Sequence, residues 1–458
     1  MLLHFLFYHQ ILNLIFFIWI WYLTNCPELA VKHPLYFKLK LKDVDLNQIT
    51  PTDYAFTFNG NVNADVIYKQ NNTIFELPAS IKIDHLNINK TDLGDLNLDV
   101  VGDESFKKFA LTANIKNEKL ESFNANGNFE IGNNETILDL KLNFEKFNLG
   151  ILSSIGGDVL SKIRGFASGN AAIGGNLKKP EINGRLYVDN AGMTIPYLNV
   201  DYALSDRTIV DLTEERFLLR NNILTDTKYG TKGTLNGSIG HNVFSDWKLD
   251  LVINSKRLLV LDTKDHEDAA YYGIAYINGK ATIKGPTDGL FIKVDAKSDK
   301  DSSLKIPIND AENVSENDFI HFLSAKEKYN IKKGIVDDVK KYKGLELEFD
   351  LDITPNAEVE VILDRTSGHG MKGRGNGTLL FKINTLGKFN MWGDFQAYEG
   401  TYNFKYGGIV DRKFDVKKGG YISWEGDPMK ARLNLESVYK TSANPTVLLE
   451  NSSFNQKV

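Results

Sequence analysis

Apolar and polar residues alternate strictly along most of this 458-residue chain, from about residue 34 onward. Successive side chains of a β-strand point to opposite sides of the sheet, so a period of two predicts strands with one apolar and one polar face. The two clearest runs have apolar residues at every second position: Leu138, Leu140, Leu142 and Phe144, and Leu345, Leu347, Phe349, Leu351 and Ile353. Shorter runs occupy residues 37–41, 81–88, 247–251, 357–361 and 431–435. The chain is therefore predicted to be mainly β.

Asn-Gly pairs separate many of these runs, at residues 59–60, 126–127, 183–184, 236–237 and 278–279. This dipeptide suits the positive φ angles of a two-residue hairpin turn, so each pair is predicted to join two antiparallel strands. Helical patterns are few, and residues 149–163 and 315–328 show the clearest helical spacing. Two short helices cannot cover so many apolar strand faces. These faces must pack against one another or enclose something.

A seven-residue pattern, G-x-A-x-I-x-G, occurs at residues 169–175 and again at residues 279–285. Looser versions begin at Gly60, Gly127 and Gly377. Self-similarity of this kind favours an elongated structure built from repeated strands. A closed β-sandwich or solenoid, in which the apolar faces simply form a core, explains the alternation equally well.

Composition excludes several classes of protein. The chain has 54 basic and 59 acidic side chains and a net charge of −5, without the basic excess that phosphate binding to nucleic acid requires. Hydrophobic residues make up 42% of the chain, which is typical of a folded protein. Cys26 is the single cysteine, so neither a disulfide framework nor a multi-cysteine metal site can form.

The first 26 residues differ from the rest of the chain. No charged side chain precedes Glu28, and Leu2 to Leu23 are mostly apolar, which is just enough helix to span a bilayer core of roughly 30 Å. Trp19, Trp21 and Tyr22 gather at one end, as in an interfacial aromatic belt. A membrane-anchoring hydrophobic helix is favoured here over a signal peptide or a misassigned start.

No sequence motif supplies an active site. One G-x-G-x-x-G lies at residues 368–373, but strand patterns lie on both sides of it, so it is predicted to be a glycine-rich turn rather than a dinucleotide site. The histidines have no metal-ligand spacing and are predicted to be mostly solvated. The acidic residues between 345 and 353 fall on the polar face of a strand. We expect no enzyme activity, no metal and no cofactor; a hydrolase would need carboxylates that cluster only in the fold.

Two stretches carry a family resemblance. The first runs from Leu160 through Gly165, Gly169, Gly184 and Gly192 to Pro196, Leu198 and Tyr202. The second runs from Gly393-Asp394-Phe395 through Gly400-Thr401-Tyr402-Asn403-Phe404 to Ile422-Ser423-Trp424-Glu425-Gly426-Asp427-Pro428, Leu433 and Leu435. Together they resemble the C-terminal domain of the translocation and assembly module proteins (TamB), particularly the Bacteroidetes-type members, over roughly residues 150–458.

The resemblance implies an elongated antiparallel β-sheet curled into a taco-like, apolar-lined open groove. It also implies a protein that is anchored in the inner membrane, has its bulk in the periplasm, carries phospholipid and works with an outer-membrane barrel of the Omp85 type. The implied organisation is an anchor or signal segment at 1–26, a repetitive groove at 27–164 and a TamB-like domain at 165–458. Family members are usually far longer, so further strands are expected beyond Val458.

A groove of this kind has a simple physical use. Each methylene of an acyl chain costs about 0.8 kcal/mol in water, and an uninterrupted apolar lining removes that cost along a path. The residues predicted to line the groove are Leu138, Leu140, Leu142, Phe144, Leu345, Leu347, Phe349, Leu351, Ile353, Leu433 and Leu435. The alternative is a closed β-sandwich or solenoid that serves as a scaffold or adhesion module. The sequence leaves the lipid, the client and the direction of transport open.

Overall fold

The structure is a computed structural model. It describes residues 35–50, 57–71, 73–132, 135–154, 159–242, 245–266, 269, 271–307, 345–384, 389–406 and 408–442. The predicted anchor at 1–26 and the predicted helix at 315–328 lie outside the described residues. Among the residues that are described, no helix has the length and apolar character needed to cross a bilayer.

The described residues form β-strands almost throughout, which confirms the predicted class. The strands are β1 Leu35–Asp45, β2 Phe58–Asn71, β3 Ile74–Ile88, β4 Thr91–Gly102, β5 Lys108–Asn117, β6 Leu120–Ile131, β7 Thr136–Asn148, β8 Ser161–Asn176, β9 Lys179–Ile195, β10 Val200–Leu204, β11 Thr208–Thr213, β12 Arg216–Asp226, β13 Lys232–Asn242, β14 Ser245–Thr263, β15 Tyr272–Pro286, β16 Leu290–Ser298, β17 Ser303–Pro307, β18 Leu345–Ile353, β19 Glu358–Asp364, β20 His369–Asn384, β21 Phe389–Tyr406, β22 Val410–Val416, β23 Tyr421–Gly426, β24 Arg432–Asn434 and β25 Ser437–Val438. One short helix, α1, spans Leu46–Ile49, and 3-10 turns span Leu149–Ser154, Pro196–Leu198 and Pro428–Lys430.

The chain divides into two compact units. Unit 1 contains the chain up to Ser255 together with Ala281–Ile292, and unit 2 contains Lys256–Lys280 together with the chain from Lys293. Strands β14, β15 and β16 contribute residues to both units. The division at residues 164 and 165, which rests on the family resemblance, stays a prediction.

Unit 1 is an antiparallel meander. From β1 to β9 each strand pairs with the next one along the chain. The long strand β9 then pairs with two short strands, β10 and β11, and both of these pair with β12. The apolar faces of β2 to β9, with a residue of β11, form one buried core. Because pairing follows chain order, side chains that alternate in sequence form continuous rows across the sheet.

Unit 2 follows the same plan with one departure. Strands β18 and β19 both pair antiparallel with β20, β20 pairs with β21, and β21 pairs with β22 and β23. The edge strands β24 and β25 pair with β23 and β22. Strand β17, however, runs parallel to β19, whereas the sequence predicted an antiparallel meander throughout.

The prediction that Asn-Gly pairs form hairpin turns is wrong. All five pairs lie inside strands β2, β6, β9, β13 and β15. Gly127 shows the reason: its φ is 152°, and a Cβ built there would lie 2.0 Å from the carbonyl oxygen of Asp139 on β7. Glycine at this position thus lets β6 approach β7 closely. A genuine turn, between β3 and β4, is formed by Asn89 and Lys90 with φ of 53° and 66°.

The first glycine of the repeated G-x-A-x-I-x-G pattern has the same role. Both copies lie within strands, β8 and β15, and their first glycines have φ of 141° at Gly169 and 159° at Gly279. A Cβ would lie 2.3 Å from the Arg185 carbonyl oxygen at Gly169 and 2.4 Å from that of Asp295 at Gly279. The pattern therefore repeats a local backbone geometry inside a strand rather than the opening of a strand.

The helix predicted over 149–163 is largely wrong. Of the residues that the structure describes in this range, 149–154 form a 3-10 turn and 161–163 belong to β8. Ser161 and Arg164 pair with Thr194 and Gly192 on β9, so sheet pairing overrides the helical spacing of the leucines.

Candidate functional site

The predicted lining residues of β7 lie in the core of unit 1. Leu138, Leu140 and Leu142 are buried, with Leu140 0% exposed, and Phe144 is half-buried. Leu140 pairs with Gly127 on β6 and with Ile173 on β8. The alternation therefore predicted which face of β7 is buried, but side chains from the same unit fill the space beside it, and its role in lining a groove stays a prediction.

Aromatic clusters stand at both ends of β6 in unit 1. At one end the rings of Tyr68 and Phe75 contact Phe106 at 5.6 and 5.4 Å. Phe106 contacts Phe109 at 5.1 Å, and Phe109 stacks on Phe129 at 4.8 Å. At the other end Phe123, Phe144 and Phe147 contact one another at 5.3 to 6.1 Å. Burial raises the pKa of Tyr68 to about 12. Its hydroxyl donates a 2.8 Å hydrogen bond to the Oε1 atom of Gln70, which satisfies the polar end of the ring.

The lining residues predicted in unit 2 share a face that runs from a buried to an exposed end. Leu345, Leu347 and Ile353 of β18 are buried, and Phe349 and Leu351 are half-buried. Strand register extends this face along a row formed by Ile353, Gly377, Phe395, Ile422 and Leu433. Phe395 and Ile422 are each 5% exposed, whereas Leu433 on the edge strand β24 is 58% exposed. The row therefore opens to solvent at β24.

Leu435, the last predicted lining residue, is half-buried just after β24. It borders a cavity of about 20 Å³ together with Val359, Phe395 and Trp424. That volume holds about one water molecule, so this apolar face is packed except for a small gap. Leu433 and Leu435 thus lie next to the face that begins at β18, and their role in lining a groove stays a prediction.

The polar face of β18 is paired rather than merely solvated. Glu348 Oε1 lies 2.7 Å from Lys293 Nζ on β16, and Glu348 Oε2 lies 3.2 Å from Lys382 Nζ on β20. These hydrogen bonds, first that from Lys293, lower the pKa of Glu348 below its usual value. One carboxylate thus links three strands.

Gly192, one of the glycines of the family resemblance, lies beside an arginine–aspartate ion pair in unit 1. Asp201 accepts a bidentate pair of hydrogen bonds from Arg164, at 2.9 and 2.7 Å, and others from the hydroxyls of Thr194 and Thr227. Burial raises the pKa of Asp201, but these hydrogen bonds outweigh it and the net shift is downward. A Cβ at Gly192 would lie 2.5 Å from Arg164 Nη2, so glycine there leaves room for the guanidinium group.

One feature of the polar face of unit 1 was not predicted. Five asparagines on five consecutive strands lie in register: Asn97, Asn114, Asn124, Asn143 and Asn170. The Nδ2 atom of Asn97 donates to the Oδ1 atom of Asn114 at 3.0 Å. The last three asparagines border an open cleft of about 690 Å³. Each belongs to a separate polar run, and only strand register, which the sequence does not provide, aligns them.

One histidine departs from the prediction of solvated histidines. His241 on β13 is buried, with ring contacts to Phe217 at 5.0 Å and Trp247 at 5.3 Å. Burial lowers the pKa of His241 to about 4, so the ring is neutral at physiological pH. Its position in an aromatic cluster indicates a packing role. The described part of the chain contains no group of His, Cys, Asp and Glu side chains that could hold a metal ion.

The apolar rows and the paired polar faces describe an amphipathic sheet in each unit. No curated protein and no solved structure matches the chain. Residues 220–458, slightly more than half of the chain, match the family model of the TamB C-terminal domain. The chain therefore belongs to the TamB family, whose members act in the cell envelope in the assembly of lipid or protein.

Proposed function

We propose that the chain is a lipid-transfer protein that shields phospholipid acyl chains along its apolar sheet faces between the inner and outer membranes. In this proposal residues 1–26 anchor it in the inner membrane and its bulk lies in the periplasm. An outer-membrane barrel of the Omp85 type is the proposed partner, and the chain also aids the insertion of outer-membrane proteins. No catalytic step is involved.

The observation that supports the proposal most directly is the row that ends at Leu433. Along it, apolar side chains pass from the buried Ile353 to the largely exposed Leu433 without a charged residue. An acyl chain at the exposed end of this row, beside Leu433, exchanges water for apolar contacts, a gain of about 0.8 kcal/mol per methylene. Non-directional contacts of this kind suit a carrier that holds chains of any headgroup.

The competing function is a scaffold without a lipid path. It is favoured by the nearly complete burial of Leu138, Leu140 and Leu142. These leucines already pack against other side chains of unit 1. If unit 1 carries lipid, acyl chains have to displace those contacts. A scaffold requires no such displacement.

Site-specific photo-crosslinking separates the two functions. Phe349 is half-buried on the proposed lining face, and a benzophenone amino acid resembles its ring; Asp350, next to it on β18, is exposed on the polar face. In full-length protein extracted from membranes, we expect irradiation to attach phospholipid at position 349 and not at 350. Equal attachment at both positions, or attachment at 349 to protein alone, would support the scaffold.

A further inference from the structure

The hairpin that joins β21 and β22 has an unusual tip. Ile409 is 92% exposed, the highest value among the large apolar side chains of the described residues. Beside it, a Cβ built on Gly408 would have no atom within 4 Å, so the tip packs against nothing in the described chain. Exposure of an aliphatic side chain to water is unfavourable, and here no contact compensates for it.

Aromatic residues lie along both strands of this hairpin. Phe404 lies 5.4 Å from the ring of His369 and 6.2 Å from that of Tyr402, and Tyr402 in turn lies 6.0 Å from Phe414. The ring of Phe414 reaches Tyr439, 5.5 Å away and 42% exposed. These rings are half-buried or exposed, and they share the face that register gives to the pairs Tyr402–Phe414 and Phe404–Arg412.

Positive charge accompanies the rings. Residues 405–413 contain the cations Lys405, Arg412 and Lys413 and the single carboxylate of Asp411, so this segment has a net charge of +2 in a chain whose total is −5. Arg412 lies over the ring of Tyr439 at 5.6 Å, and Lys405 pairs with Asp411 at 3.6 Å. Lys413 is exposed.

Strand register pairs Lys405 with Asp411 and Phe404 with Arg412, so cations and an aromatic ring lie at similar distances behind the aliphatic tip. These three kinds of group suit a bilayer surface, where acyl chains contact aliphatic side chains, the interface favours tyrosine and the headgroups attract lysine and arginine. A protein partner would need a complementary surface of several hundred Å² on each side, and one protruding isoleucine offers little area. A fluid lipid phase needs no such complementarity.

We infer that the β21–β22 hairpin is a membrane-contact site whose Ile409 inserts into a bilayer surface that contains anionic phospholipid. This contact would hold unit 2 against a membrane whether or not its apolar faces carry lipid. It is therefore independent of the proposed lipid path.

A fluorescent probe at the tip tests the inference in the full chain. The background variant Cys26→Ser removes the single native cysteine, and Gly408→Cys then carries a polarity-sensitive NBD label beside Ile409. With vesicles of phosphatidylglycerol and phosphatidylcholine, we expect the emission to shift to the blue and to be quenched by lipids brominated in their acyl chains. A label at Asn356→Cys, in the exposed turn between β18 and β19, should report water with the same vesicles.

Two further changes test the named side chains. Ile409→Asn should lower the partition of the labelled tip by about tenfold, because it removes the inserted group. Lys413→Glu should weaken the signal several-fold with anionic vesicles at low salt and have little effect with phosphatidylcholine alone. Since the tip packs against nothing in the described chain, circular dichroism should show neither variant unfolded. A tip probe that stays in water, or that shifts to the blue without quenching by brominated lipid, would overturn the inference.

Discussion

Individual residues of this chain act mainly by the space they leave or fill. Gly192 has no chemistry of its own, yet it admits the guanidinium group of Arg164, which holds Asp201 through two hydrogen bonds. The carbonyl oxygen of the buried Tyr202, two strands away from Arg164, would lie 2.6 Å from a Cβ at Gly192. Gly192 is thus a packing constraint beside one paired carboxylate.

His241 makes the stability of the chain depend on pH. Its pKa is about 4 in the fold and about 6.5 in an unfolded chain, so the unfolded state binds more protons between these values and stability falls as the pH drops below 6.5. From pH 7.5 to 5 we expect a loss of at most about 2 kcal/mol. Denaturant unfolding of the wild type and His241→Gln measures it. A variant with the same pH slope as the wild type over this range would contradict the assignment.

Residue-level predictions from sequence succeeded where a single strand decides the outcome. Alternation alone identified the buried side of β7 and β18, because a strand has only two faces. The exposure of Leu433 depends on its place at a sheet edge, and the burial of His241 depends on neighbours from β12 and β14. Neither circumstance is visible in the local sequence.

Strands are the main elements of this chain, and several of them contain a glycine with positive φ. Hairpin turns were predicted at the Asn-Gly pairs because the dipeptide permits positive φ, and four of the five glycines do have it: Gly60, Gly127, Gly237 and Gly279. The structure uses that freedom within the strand, where the neighbouring carbonyl excludes a Cβ. The positive φ of these glycines was therefore predictable, whereas its position inside a strand and not in a turn was not.

A pair of substitutions separates the effect of the close approach between β6 and β7 from the effect of backbone strain at a positive φ. Gly127→Ala places a methyl group 2.0 Å from a carbonyl oxygen on β7 and should cost at least about 3 kcal/mol of unfolding free energy, since β6 and β7 must separate. Gly230→Ala, at φ 73° with no atom near its Cβ, should cost only about 1 to 2 kcal/mol. Denaturant unfolding measures both. Equal losses would mean that backbone strain, and not the close approach of β7, requires glycine at position 127.

The asparagine row marks the boundary of what strand patterns can predict. Each asparagine lies on the expected polar face, but alignment of Asn97 with Asn170 through three intervening strands requires the register of every pair between them. A shift of one residue in any pair would break the row. Sequence patterns determine the faces of strands well and their mutual register poorly.

At the scale of the whole molecule, the mainly β class and the family were predictable, because both depend on patterns that extend over hundreds of residues. The division into two units was not, since Ala281–Ile292 joins unit 1 while the residues on either side belong to unit 2. The unit to which a segment belongs depends on which distant strands it contacts. The alternation of apolar and polar residues carries no information about those contacts.

Native mass spectrometry of the whole chain tests whether it retains lipid. If the apolar faces shield acyl chains, protein released from detergent should carry several phospholipids of mixed headgroup, because apolar contacts do not distinguish headgroups. A lipid-free mass from a folded sample would favour the scaffold. Gly408→Cys protein labelled at the tip would still report membrane contact in that case, so the two proposals fail separately.

The pairing of each strand with its chain neighbour from β1 to β9 has an evolutionary consequence. A hairpin duplicated within such a meander meets the same two edges as its parent, so the chain can lengthen or shorten by two strands without redesign of distant contacts. Proteins built in this way can differ in length while each segment keeps its positive-φ glycines. Descent would then be recorded in recurring strand geometry, which persists after overall sequence identity has faded.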